Sequence, residues 1–358
     1  MQDFPDAGGS GAFTGLAKTL PTGTTHVGFH WRGEARHRIH IAARANVVGV
    51  GWSDWVDLAL DDEPFVMDQT FTSLLDVRGA TGVQYRANVP RGHRLNSVVM
   101  TTIGTDMEPS GTPVATTASA ATAPQASFIT LDGKQRAVFR REDWACDEAG
   151  SAYPWKPMFV PVKKLLVHHT ATSNTYTDGA AEVRAIYAYH AVTKKWGDIG
   201  YNVLVDRFGN VFEGRRGRDV KPGGSTTEIV SSPSGREVLS GGVVAGHCFN
   251  HNYGSSGIAV LGDFTKRKIS LSNATDKAML AALDDLMVYD CGRNGLAPTA
   301  SSEFLRSDGA WHDAMPTITG HKDDEATACP GSSLYSYMTS TLRSNVASRL
   351  SGASLYRP

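Results

Sequence analysis

The chain of 358 residues contains no long apolar run. Nothing approaches the ~20 consecutive residues that a membrane helix needs, so no span is expected. Neither charge is in surplus. With 35 Lys and Arg against 36 Asp and Glu, the net charge of −1 gives no electrostatic reason to expect nucleic acid as a partner. Cysteine is scarce: Cys146, Cys248, Cys291 and Cys329, with no C-x-x-C spacing, which excludes a disulfide-dense scaffold and the usual paired-cysteine zinc site. Helical periodicity is missing before Ala137. Met1-Gln2-Asp3-Phe4-Pro5 lacks a basic segment followed by an apolar one, so no signal peptide is visible there.

What is present divides the chain into two domains. Residues 1–22, rich in Gly, Ala and Thr, are expected to form a flexible lead-in. Residues 23–107 hold short strand-like runs: 25–31, 38–42, 47–50, 55–58, 82–86 and 95–100. Several alternate polar and apolar, which predicts a small antiparallel sandwich-like domain. Its His26 and His30 share a strand face, read as solvated; His37, His40, Asp61-Asp62-Glu63 and the tryptophans could bind metal or sugar but need no such role. Residues 108–130 are dominated by Pro, Ala, Thr and Ser and predict an interdomain linker. From 131 to 358 helical stripes alternate with strands, which predicts a mixed sheet covered by helices. Helices are expected from a Thr177 or Asp178 cap to about Lys195, from an Asn273 cap to Cys291 before Gly292, and from Ser333 to Leu350.

The apolar run Lys164-Leu165-Leu166-Val167 ends in His168-His169, a strand end facing a loop. Far downstream, His321 and Cys329 lie on a segment bounded by Gly320 and Pro330-Gly331 that cannot be one regular helix. One imidazole from a strand, with an imidazole and a thiolate from a loop, leaves an open fourth position, as in catalytic zinc sites. A core histidine and a buried cysteine would show the same spacing.

Further runs narrow the choice. Val167-His168-His169-Thr170 is followed by Trp196-Gly197-Asp198-Ile199-Gly200-Tyr201-Asn202, Phe212-Glu213-Gly214-Arg215, Gly246-His247, Gly257 to Phe264, and Gly320-His321 to Cys329-Pro330-Gly331. In this order they resemble the N-acetylmuramoyl-L-alanine amidases of the peptidoglycan recognition protein and T7-lysozyme-like superfamily, over about Ala137 to Leu350. The resemblance implies an α/β mixed-sheet zinc amidase domain covered by helices, behind the small all-β domain. It implies Zn2+ held by His168, His321 and Cys329, with His168 chosen as the first histidine of its motif. Tyr201 and Thr327 are implied as catalytic, and His169, His247 and Asn250 as substrate contacts. Ala259 stands where a related branch carries a glutamate, so the tyrosine-assisted variant is implied and the general base stays unassigned. The implied reaction is cleavage of the amide between N-acetylmuramic acid and L-alanine in peptidoglycan, by a secreted or wall-associated monomer. The alternative is a non-lytic peptidoglycan-binding protein, although such members typically lose the cysteine ligand. The stretches 221–239 and 297–316 are read as insertions that could rim the groove.

If Cys329 binds metal, three cysteines remain. Cys146, in the lead segment, and Cys291, at a helix end, are expected to pair; three small buried thiols are the alternative.

Overall fold

A computed structural model describes residues 2–4, 11–32, 39–60, 69–93, 95, 97–105, 128–131, 134–146, 155–217, 238–239 and 242–352. The first domain is the expected sandwich of two antiparallel sheets. One has the order Gln2–Phe4, Val98–Ile103, His26–Arg32, Gln69–Phe71. The other has the order Gly11–Thr14, Ala80–Val89, His40–Val47, Gly51–Trp52. Alternate residues point inward, and Phe29, Trp31, Ile41, Tyr85 and Val98 fill the space between the sheets. Of the run 47–50, expected as a strand, Val47 ends the strand His40–Val47 and 48–50 form the turn after it.

Two expectations for this half are corrected. The stretch 1–22 is no loose lead-in throughout: Gln2–Phe4 pairs with Val98–Met100, while Gly11–Thr14 and Lys18–Thr19 pair with Ala80–Val89. These short strands cover sheet edges that would otherwise expose unpaired backbone groups. His26 and His30 do share a face, but it is buried rather than solvated, because the second domain packs on it. Trp52 and Trp55 lie near the Arg44 guanidinium, at 4.8 and 4.5 Å. His37, Asp61-Asp62-Glu63, residues 108–127 of the expected linker and residues 221–237 lie outside the described residues.

The second domain is built on a seven-stranded mixed sheet. Its order is Phe128–Leu131, Lys134–Phe139, Val211–Glu213, Val203–Val205, Ser255–Val260, Lys164–His169, Ile318–Gly320. The sheet therefore begins inside what the sequence assigns to the linker. Val167, Val205, Ile258 and Val260 face the helix Ala274–Asn294 and the C-terminal helices, packing with Leu283, Met287, Met338 and Val346. Each such fully buried side chain contributes roughly 1.5–3 kcal/mol. Leu204, Phe212 and Ala259 face the opposite way, toward the helix Gly179–Tyr187. Asp178 caps that helix by accepting from Ala181 N at 3.1 Å. The helix then continues as a π-helical turn, Ala188–Thr193.

The Asn273 cap is as expected, but the helix runs past Gly292 to Asn294. Gly295 ends it, because only there does the backbone turn left-handed, at φ 62°. The stretch 297–316 is a hairpin of Ser301–Leu305 with Trp311–Pro316.

The expected disulfide is absent. Cys146 and Cys291 are not joined to each other. Cys291 is fully buried in the core under the Ala274–Asn294 helix, whereas Cys146 packs against the cluster on the other face of the sheet. The sheet itself separates them. Burial, then the Asp290 charge, pushes the Cys291 thiol up to about 12, so it stays protonated.

The two domains share one hydrophobic cluster. Phe71, Leu74 and Ile103 of the sandwich pack with Trp144, Ile186 and Tyr189 of the second domain's first helix and its lead segment. Gly28 makes the approach possible, since a Cβ there would sit 2.7 Å from the Tyr189 ring. Beside the cluster, Glu182 accepts from His26 Nε2 at 3.2 Å and from Arg78 Nη1 at 2.8 Å.

Candidate metal centre and its groove

Parallel pairing brings the two distant histidine motifs together. In the register of Lys164–His169 with Ile318–Gly320, Val167 lies opposite Gly320. His168 and His321 therefore leave the sheet side by side, with ring centroids 4.6 Å apart. Cys329 comes back beneath them: its Sγ is 3.7 Å from His168 Nδ1 and accepts from His169 N at 3.3 Å. All three side chains are buried, and their donor atoms lie within 4.8 Å of one another. Two imidazoles and one thiolate suit zinc, and an N–H donor to sulfur favours the ionised thiolate.

The hydrogen-bond network assigns the coordinating nitrogen of His168. Ser255 Oγ donates to His251 O, so it can only accept from His247 Nε2, at 3.3 Å. His247 Nδ1 then carries a lone pair and accepts from His168 Nε2, at 3.1 Å. His168 Nδ1 is left as a lone pair aimed at Cys329. Gly257 is required for this relay, because a Cβ there would lie 2.3 Å from the His247 ring. Burial first, then the neighbouring His321, His247 and His169, holds the His168 imidazole well below its ordinary value. Burial, then His169 and His251, lowers His321 to about 3. Both rings are therefore neutral and ready to bind a cation. His247→Ala is expected to weaken metal affinity about 10–100-fold while leaving the ligands in place, measured by competition with a chromophoric chelator.

Above these residues opens a cavity of about 430 Å3. Tyr201 and Thr327, expected as catalytic, both line it. The Tyr201 ring lies 5.6 Å from that of His168. Its loop is anchored by buried Asp198, which accepts from Arg141 Nη1 at 2.9 Å and Arg215 Nη1 at 2.6 Å. Thr327 Oγ1 accepts from Cys329 N at 3.1 Å. Glu213 stays out of the groove; its carboxylate accepts from Arg141 N and Gly217 N.

The expected substrate contacts divide. His169 lines the cavity, with Nδ1 accepting from Phe264 N at 3.2 Å. His247 also borders it, but its two ring nitrogens are taken up by His168 and Ser255. Asn250 does not line this cavity; it sits in a left-handed turn at φ 62°, where its Nδ2 donates to Asp308 Oδ2 at 2.8 Å. The hairpin that was expected to rim the groove holds it instead.

Two parts of the wall were not expected. His190, on the π-helical turn, lines the cavity and accepts from Gly200 N at 3.0 Å. The sandwich domain supplies a second wall, from Asp57 to Leu60 and from Thr72 to Leu74. No local pattern marks those residues, since their place depends on how the domains dock.

Residues 158–332 match the family model described as N-acetylmuramoyl-L-alanine amidase. The human protein named N-acetylmuramoyl-L-alanine amidase is 26% identical over 225 residues, covering 60% of this chain and 31% of the human protein. Mouse peptidoglycan recognition protein 1 is 29% identical over 182 residues, covering 50% of this chain and 75% of its own. Drosophila PGRP-LB, a solved structure, superposes with a TM-score of 0.40 at 20% identity, over 57% of this chain and 94% of that one. The chain spans under a third of the human amidase. It carries an amidase-family domain over residues 158–332, and its relatives include proteins named as amidases and proteins named as recognition proteins.

Proposed function

We propose that this chain is a zinc-dependent N-acetylmuramoyl-L-alanine amidase that hydrolyses the amide between the lactyl group of N-acetylmuramic acid and L-alanine in peptidoglycan. The observation that carries the reading is the buried donor set of His168, His321 and Cys329 at the base of an open cavity. Structural zinc is usually closed by four protein ligands, whereas this set of three borders an open cavity. Cys248, the candidate by residue type, groups instead with His251 and Glu325. A non-lytic binding protein would not need a complete donor set. The substrate places the protein outside the cytoplasm or on the wall, acting as a monomer. No helix among the described residues is long and apolar enough to cross a membrane.

Zinc held there supplies a Lewis acid for the scissile carbonyl and lowers the pKa of its water to about 7. The protein's own groups do the rest. His247 holds the His168 ring so that Nδ1 faces the metal position. The Tyr201 hydroxyl donates to the oxyanion as charge develops. The Thr327 hydroxyl is held by Cys329 N through its oxygen, which leaves its proton to donate into the cavity. Both walls exclude water and orient the muropeptide.

Digestion of purified peptidoglycan, with and without a chelator, tests the reading. New L-alanine amino termini that vanish on chelation are expected; binding without their release would overturn it in favour of a recognition protein. Tyr201→Phe is expected to retain metal and lower kcat about 10²–10³-fold, the usual loss for one oxyanion donor. An unchanged kcat would remove Tyr201 from the chemistry.

A further inference from the structure

A second group of metal-type donors lies outside the site described above. Cys248 and His251 sit on a tight turn fixed by Asn252, whose Oδ1 accepts from His247 N at 2.8 Å and Cys248 N at 3.1 Å. Glu325 follows the His321 turn and donates its N–H to His321 O at 3.1 Å. Sulfur, a ring nitrogen and a carboxylate oxygen of the three lie within 4.8 Å of one another. The first set meets the same limit.

The state of His251 points to a ligand. Its ring is buried and stacks on Phe304, with centroids 5.9 Å apart at 14°. Its Nδ1 faces Phe249 O at 2.9 Å, and because a carbonyl only accepts, Nδ1 carries the proton. Nε2 therefore holds a lone pair, yet it is buried with no hydrogen-bond partner. A fixed tautomer with a bare Nε2 is how proteins present histidine to a metal. Burial lowers this imidazole, keeping it neutral. Next to Glu325, Asp324 has both carboxylate oxygens buried without a hydrogen bond, with His312 Nε2 at 3.5 Å from Oδ1. Lys164 and Arg306 are the nearby cations, and Lys164 Nζ already donates to Ser302 and Met315.

The plain alternative takes Cys248 as a small apolar group packed with Leu166, Phe304 and Met315. That accounts for the sulfur but not for the bare Nε2 of His251, a lone pair buried without a hydrogen-bond partner.

We propose that Cys248, His251 and Glu325 bind a second zinc ion, separate from the one assigned to His168, His321 and Cys329. A mixed sulfur, nitrogen and oxygen set selects zinc over calcium or magnesium, which take oxygen ligands. The ion clips the turn carrying His247 to the loop carrying His321 and Cys329. It thereby fixes both the ligand loop and the residue that orients His168.

The test is zinc content per chain, by elemental analysis of the purified full chain after dialysis against trace zinc. Two equivalents are expected, falling to one in Cys248→Ala, to one in Cys329→Ala, and to none in the double variant. Titration of the metal-free wild type with Co2+ provides a readout that does not depend on a variant folding. Two equivalents, each adding thiolate-to-cobalt charge-transfer absorption, are expected. A single equivalent, lost only with Cys329, would overturn the second site and leave the amidase reading standing. A single equivalent lost only with Cys248 would sustain this site and sink the other.

Discussion

Cys329→Ala and His321→Ala are each expected to abolish release of L-alanine termini and remove the groove's zinc, while the fold survives. The loss in rate follows from the charge stabilisation a Lewis acid provides. Several kcal/mol, at 1.36 kcal/mol per tenfold, is a drop of at least about 10³-fold. Survival of the fold follows from where the residues sit. The core beneath the site is built from Leu165, Val167, Val205, Ile258 and Val260 against the Ala274–Asn294 helix and the C-terminal helices, none of which needs a metal to pack. Cys329 lies at the edge of that core, and replacing it with Ala removes one sulfur atom. Circular dichroism of the variants should match the wild type. Unfolding of both at room temperature would make the metal structural and defeat the catalytic assignment.

The metal residues were legible because each ends a recognisable element: an apolar run before His168, and the Gly320 and Pro330-Gly331 breaks around His321 and Cys329. What joins them, the parallel register of Val167 with Gly320, depends on strand order and leaves no local mark. His247 shows the limit on roles. Its motif was visible, but whether its ring faces substrate or props His168 turns on Gly257, on the neighbouring strand, leaving room for it. The cysteine pairing failed for a related reason: helix ends look peripheral in one dimension, whereas the sheet places Cys146 and Cys291 on opposite faces. Strand alternation in the first domain showed a sandwich. It could not show which face would be covered, because His26 and His30 read as polar positions until Glu182 and Phe71 are brought against them.

That covered face carries the other large effect, expected for Glu182→Ala. The Glu182 carboxylate is buried between domains, with side-chain exposure of 1%, and holds His26 on one side and Arg78 on the other. Removing one member of a buried charged group typically costs 3–5 kcal/mol; because Arg78 is itself about a third exposed, about 3 kcal/mol is expected here. At roughly 2–4 °C per kcal/mol for a chain of this size or somewhat smaller, the melting temperature should fall by about 6–12 °C. The sign with pH follows from the carboxyl. Burial pushes its pKa up, but the hydrogen bond and charge of His26, then those of Arg78, outweigh it and leave it below the ordinary 4.5. The stabilisation is therefore fully present above pH 4.5 and is lost as pH falls through the lower folded value, so wild type and variant should converge in acid. The same joint sets the position of Asp57 to Leu60 and Thr72 to Leu74 over the groove. Glu182→Ala should accordingly raise KM for peptidoglycan fragments more than it lowers kcat. A lower melting temperature with unchanged KM would show that the sandwich domain stabilises the protein without shaping its substrate site. No change in either would show that the buried pair does not hold the domains together.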